Sequence, residues 1–141
     1  MNQTIVYSSR VVFGGASKSN DKLEWLGDIV EKAAIKNKSL DISGVLSYKE
    51  GRIIQLIEGE ASKIQDLYAQ ICNDDRHESI AILLDLKNSQ RIFSDWGMVL
   101  EPNIQSSSLF KEFLLTYFDD LVAMSAAQSD ELSFFVDRIF N

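Results

Sequence analysis

The sequence predicts an α+β sandwich: one sheet carrying two helices on one face and further helices on the other. Three observations predict it. Up to Leu100, stretches of strand-like alternation and helical spacing follow one another in the order β-α-β-β-α-β-β. Each of the two intervening helices has a single apolar stripe, so both need the face of a sheet to bury it. Between them, two strand-like runs flank Lys49-Glu50-Gly51, the spacing of a β-hairpin. With 141 residues, 45% of them hydrophobic, the chain can bury a core and reads as one domain with a short appendage.

Thr4 to Ser9 forms the first strand, with Ile5, Tyr7 and Ser9 sharing a face. Arg10 to Ser19 is a loop containing Gly14-Gly15. Ser19 or Asn20 can then cap a helix whose positive first turn suits Asp21 and Glu24. Leu23, Leu26, Val30 and Ala33 recur at helical spacing, with Ile29 beside them, and one further step of four reaches Asn37. On local grounds Asn37 reads as a helix C-cap; as the end of the stripe it is an amide held over the sheet.

The hairpin strands are Ile42–Tyr48 and Arg52–Glu58. Alternation puts Ile53, Gln55 and Ile57 on one face, and Leu46, Tyr48, Ile54 and Leu56 are assigned to the other. Gln55, set between isoleucines, needs hydrogen-bond partners, since burying it without them costs about 1–3 kcal/mol. Glu60–Asn73 is the second helix, with Ile64, Leu67 and Ile71 facing inward, and Asn73–Glu78 is a charged loop. Ile80–Leu86, nearly continuous in apolar residues, suits a strand covered on both faces or central in the sheet. Lys87–Gln90 turns the chain into a last strand, Arg91–Leu100, with Ile92, Ser94, Trp96 and Met98 on one face and Phe93 and Val99 on the other.

Pro102 and Gln105–Ser108 mark a boundary that divides the chain into residues 1–102 and 103–141. Two amphipathic helices follow, Leu109–Met124 and Asp130–Phe140. Phe110, Phe113, Leu114, Tyr117 and Leu121 form one stripe, and Leu132, Phe135, Val136 and Ile139 the other. They are the natural cover for the second sheet face. The fold expected is a ferredoxin-like β-α-β-β-α-β-β sandwich with two C-terminal helices capping the sheet.

Composition excludes several functions. A net charge of −7 disfavours free nucleic acid and anionic membranes as partners. The single Cys72 rules out an intrachain disulfide, fits a reducing, cytoplasmic setting, and reads as a small core hydrophobe rather than a nucleophile. One histidine and one cysteine do not make a structural zinc site, so no metal is expected. MNQTIVYSSR is not a secretory leader, and no apolar run approaches the ~20 residues of a membrane span. Walker, dinucleotide and nucleophile-elbow motifs are absent, and Asp74-Asp75 and Asp119-Asp120 are adjacent rather than convergent, so an enzyme is not expected.

What remains is a set of residues aimed at one space. Asn37 ends the inner stripe of the first helix. Ile29 and Ile71 come from the two helices, Tyr7 and Gln55 from the strands beneath, and Arg76-His77 follow the second helix. A groove between two helices over a sheet suits a flat ligand, with amides reading its edge and aliphatic groups its faces. Periodicity alone leaves open that these are simply satisfied core groups.

Tyr7 in IVYSSR, Asn37 followed by ISGVLSY, Gln55 in QLIEG, DDRH at Asp74–His77 and Trp96-Gly97-Met98 together resemble the BLUF domain, for blue-light sensing using flavin. The resemblance runs in order from Thr4 to Leu100 and is to a short, stand-alone member with two C-terminal helices, leaving no room for an attached cyclase or phosphodiesterase. It implies a non-covalently bound flavin, FAD or alternatively FMN, between the two helices. Asn37 would bond the polar edge of the ring, Ile29 and Ile71 would sandwich it, and Arg76 and His77 would lie near the ring or its tail. Tyr7 and Gln55 are the implied photoactive pair. In the family the tyrosine gives up an electron and then a proton on excitation. Their return leaves the glutamine rotated or tautomerised, with a new hydrogen bond that shifts absorption to the red. Trp96 and Met98 are the implied relay to the output surface.

The implied partner is a downstream signalling protein reached through protein–protein contacts, with a homo-oligomer expected and neither nucleic acid nor membrane. QLIEG stands where Q-x-L-E-G is commoner, ISG where ITG is, and Arg10–Asn20 is longer than the usual first loop. Few basic residues are placed to grip a flavin phosphate: Arg76, with Lys36 or Lys38. Two other readings share the fold: a non-photoactive dimeric interaction module, and a small acylphosphatase-like enzyme. The latter needs a phosphate-binding loop after the first strand, of which Ser8-Ser9-Arg10 is a poor version.

Overall fold

A computed structural model describes residues 1–12, 22–49, 51–87, 90–93, 99–101, 108–117 and 119. Its sheet contains β1 (Asn2–Val11), β2 (Ser43–Lys49), β3 (Arg52–Glu60), β4 (His77–Lys87) and β5 (Val99–Glu101), in the spatial order β4-β1-β3-β2-β5. The first four pair antiparallel in the ferredoxin-like arrangement, and β5 adds parallel to β2. Helices α1 (Lys22–Ser39) and α2 (Ala61–Cys72) are the two crossovers, and α3 (Ser108–Thr116) follows β5.

Two apolar clusters sandwich the sheet. On the side of α1 and α2, Ile5, Tyr7, Ile53 and Ile57 pack with Leu26, Val30 and Ile64. On the other side Val6, Val45, Ile54, Leu56, Leu83 and Leu84 pack with Phe93 and with Phe113 and Leu114 of α3. Strand alternation explains the division, since neighbouring residues of β1 and β3 feed opposite clusters. The expected cover of the second face is thus supplied by α3. Asp130–Phe140, the other expected helix, lies outside the described residues, as do the caps at Ser19, Asn20 and Asp21.

The hairpin closes one residue tighter than expected. Lys49 pairs with Arg52, leaving two residues between them, with Gly51 at φ +83°. Leu46 therefore stands opposite Gln55 and Tyr48 opposite Ile53, and both pack on the helix side rather than on the Ile54–Leu56 side. A slip of one residue in register exchanges the faces of a whole strand, and a three-residue turn had implied that slip.

The remaining differences are local. β4 starts at His77, not Ile80, because His77 and Glu78 pair with Val11 and Arg10. Of the two placements its apolar run suits, β4 takes the first: the run meets both clusters, and the strand lies at the end of the order. Residues 91–93 precede rather than form the last strand: the amides of Ile92 and Phe93 donate to the Glu58 carboxylate instead of a ladder. Cys72 is exposed, not core, and stands at the last position of α2, one residue past the inward-facing Ile71. Ser8 and Arg10 pair with both β3 and β4 and Ser9 with β3, so the three continue β1 and form no phosphate-binding loop.

Candidate functional site

β1 and β3 lie side by side, and their register sets Tyr7 directly opposite Gln55. Both side chains point toward α1 and α2, and the Tyr7 hydroxyl donates to Gln55 Oε1. The phenol is 1% and the amide 8% exposed. Burial pushes the ionisation of Tyr7 far above the ordinary tyrosine range, with Tyr68, Asp74 and Cys72 acting in the same direction. Tyr7 is therefore a neutral phenol at any physiological pH. Its ring meets Tyr68 edge-on at 5.8 Å and His77 at 6.3 Å between centroids.

Above this pair lies a cavity of about 330 Å³ between α1 and α2. That volume sits at the lower end of small-molecule pockets, roughly 300–1,000 Å³. Tyr7, Gln55, Leu46 and Ile53 form its floor. Trp25, Ile29 and Ala33 line it from α1, and Leu67, Gln70 and Ile71 from α2. Asn37 reaches it from the last turn of α1 and is buried. Asn37 is not the terminal cap: the helix runs on to Ser39, while the Asn37 carbonyl accepts from the amides of Leu40 and Ile42. That pair of bonds turns the chain into β2 and fixes the residue over the sheet.

The rim is charged. Lys32, Lys36, Asp74, Arg76 and His77 all line the cavity. Lys36 donates to Gln70 Oε1 at 3.0 Å, joining the two helices. Arg76 grips Asp74 through Nη2 at 2.5 Å and Nε at 2.9 Å. That hydrogen bond holds Asp74 below the usual carboxylate range against the opposing effect of burial. His77 bridges elements, with Nδ1 2.9 Å from Ser9 Oγ and Nε2 2.6 Å from the Ile71 carbonyl. Nδ1 thus ties β4 to β1 and Nε2 ties it to the end of α2, so the ring face is what His77 presents to the cavity.

The structure thus gathers Tyr7, Ile29, Asn37, Gln55, Ile71, Arg76 and His77 around one cavity, as their spacing suggested. Lys38 does not line it. Trp25, Lys32, Gln70 and Asp74 line it and were missed. Trp25 stands four residues before Ile29 and Lys32 four before Lys36, so helical spacing carried the signal for both. Trp96 and Met98 lie outside the described residues. Among the described residues no three His, Cys, Asp or Glu side chains converge as a metal site, and no helix is long and apolar enough to cross a membrane.

A flat heteroaromatic ring with a phosphorylated tail fits this donor set: aliphatic walls for its faces, buried amides for its edge, and lysines at the rim. Comparison with known proteins points the same way. The family model BLUF, described as sensors of blue light using FAD, matches residues 3–99. Photoactivated adenylate cyclase subunit alpha of Euglena gracilis is 32% identical over 91 residues, 63% of this chain and 9% of that protein. The blue light- and temperature-regulated antirepressor BluF of Escherichia coli (strain K12) is 28% identical over 100 residues, 71% of this chain and 23% of that protein. The chain therefore spans only a small part of the length of these relatives. Among solved structures, the dark state of BlrB, a BLUF protein, superposes with a TM-score of 0.66 at 26% identity, covering 86% of this chain and 89% of that one.

Proposed function

The chain belongs to the BLUF family of blue-light, flavin-binding sensors, and we propose that Tyr7 and Gln55 are its photoactive pair. The observation that supports this reading is the buried hydrogen bond from the Tyr7 hydroxyl to Gln55 Oε1 at the floor of the cavity. Ile29 and Ile71 would hold the ring of the flavin by its faces, Asn37 and Gln55 its polar edge, and His77 would pack near it. Lys32, Lys36 and Arg76 would lie near a phosphate, and FAD, which the family's description names, is the cofactor we propose ahead of FMN. When bound, the flavin supplies a blue-light chromophore whose excited state accepts an electron.

The chain's own residues supply the switch. Oxidising a phenol makes its O–H strongly acidic, and the hydrogen bond already made directs that proton to Gln55 Oε1. An amide protonated at oxygen can release a proton from nitrogen to the bound ring that had accepted the electron. When the electron and proton return to Tyr7, Gln55 is left rotated or tautomerised. Its two ends have nearly the same shape but opposite hydrogen-bond sense, so both arrangements fill one volume. The outcome is a two-state device without net turnover. We further propose that it signals through a protein–protein contact in the cytoplasm, as a homo-oligomer, with Trp96 and Met98 as relay.

The test is an absorption spectrum of purified protein in the dark, under blue light, and in the dark again. A flavin band that moves modestly to the red and returns is expected. Tyr7→Phe and Gln55→Ala are expected to retain flavin and lose the shift. A normal shift in either variant sinks the residue assignment, and failure to bind flavin after addition of FAD or FMN sinks the cofactor assignment.

A further inference from the structure

Glu58 is a buried carboxylate that the photoactive site does not use. It lies on β3 three residues after Gln55, with its side chain on the opposite face, and is 1% exposed. A carboxyl group buried that deeply needs hydrogen-bond partners around it. Here the Ser43 hydroxyl donates to it at 3.0 Å, and the amides of Ile92 and Phe93 both donate to it, that of Ile92 at 3.0 Å. The Ser43 hydroxyl in turn accepts from Arg91 Nη2 at 2.8 Å, and Arg91 Nη1 pairs with Asp41 at 3.1 Å. Residues 91–93 are thus tied to the hairpin by side chains rather than by a strand ladder.

The connections at the two ends give this cluster its meaning. Asp41 sits next to Ile42, whose amide is held by the Asn37 carbonyl at the roof of the cavity. Beyond Phe93 the chain passes through Trp96 and Met98 before reaching β5, which lies against β2. We propose that Glu58 is the positioning residue that couples the photoactive site to the β5 segment. Its carboxylate fixes the backbone of residues 92–93 to the same strand that carries Gln55. A displacement of β3 that accompanies rearrangement of Gln55 is therefore delivered to those amides, and from them to the segment leading into β5. The inference rests on the photoreceptor reading above.

The test is made on the full chain, labelled with ¹⁵N and loaded with FAD, by recording backbone amide resonances and the absorption spectrum on one sample in the dark and under blue light. Expected are a reversible red shift and a reversible displacement of the Ile92 and Phe93 amide resonances. In Glu58→Gln, whose amide offers one acceptor oxygen in place of two, the red shift should persist while the light-induced displacement at Ile92 and Phe93 is lost. A purely structural role for Glu58 would leave that light-minus-dark difference intact, and a difference equal to wild type in the variant overturns the proposal. A wild-type red shift with unmoved Ile92 and Phe93 amides also overturns it, and decides the matter if Glu58→Gln does not fold. No red shift in wild type removes the photoreceptor reading and this inference with it.

Discussion

Alanine at Gly59 and alanine at Gly27 should change stability in opposite directions. Gly59 lies near the end of β3, and a Cβ built there meets the Asp41 carbonyl oxygen at 3.2 Å and Ile42 Cγ1 at 3.2 Å. Neither neighbour is free to retreat. Asp41 is in the left-handed region at φ +53° with its side chain paired to Arg91, and the Ile42 amide is bonded to the Asn37 carbonyl. Overpacking of this kind costs about 1–3 kcal/mol. Replacing a strand glycine returns roughly 0.5–1 kcal/mol by restricting the unfolded chain. The net expectation for Gly59→Ala is a loss of up to roughly 2.5 kcal/mol, centred at about 1, from the difference of those two terms. Gly27 is inside α1, and a Cβ there has no neighbour within 4 Å. Gly27→Ala should therefore stabilise by about 0.5–1 kcal/mol. Urea unfolding followed by circular dichroism reads both, and at a slope of about 1–3 kcal/mol per molar the two midpoints should separate clearly on either side of wild type. A Gly59→Ala midpoint at or above that of Gly27→Ala would refute the reasoning from close approach.

Three further outcomes are expected. Leu114→Ala, which empties a fully buried position of α3, should cost about 2–5 kcal/mol in the same assay; a loss below about 1 kcal/mol would mean that α3 does not seal the second sheet face. Tyr7 should contribute to alkaline unfolding: its folded ionisation lies above the ordinary value of 10.0, so the stability it lends is complete below that pH and is lost as pH rises beyond it, because only the unfolded chain ionises there. Tyr7→Phe should blunt the decline in urea midpoint measured above pH 10.0. Asp74→Asn releases Arg76 at the cavity rim and should tighten FMN relative to riboflavin by up to roughly fivefold, the scale of an exposed ion pair; unchanged relative affinity in a fluorescence titration would place the phosphate away from Arg76.

The two-helix, one-sheet layout was legible because its signals are local. The stripe ending at Asn37, the inward row Ile64–Leu67–Ile71 and the alternation through Gln55 each depend on residues within a turn or two of one another, and backbone periodicity turns them directly into faces. The residue types at Tyr7, Gln55 and Asn37 marked polar groups aimed at an apolar space, and the cavity is where those faces meet. Sequence alone thus determined the order of the first four strands and two helices, several of the residues that line the cavity, and the family the chain belongs to.

Tertiary structure decided how the elements meet. A single residue of hairpin register moved Leu46 and Tyr48 to the helix side, because alternation within a strand does not specify its partner. His77 entered β4 because Val11, Ser9 and the Ile71 carbonyl, all distant in sequence except the last, supply its bonds. The hydrogen bond between Tyr7 and Gln55 spans 48 positions, and those from Ile92 and Phe93 to Glu58 span 34 and 35. Contacts at such separations leave no period in the chain. They arise only when packing has desolvated the groups concerned and an unpaired buried donor or acceptor has become more costly than a specific partner.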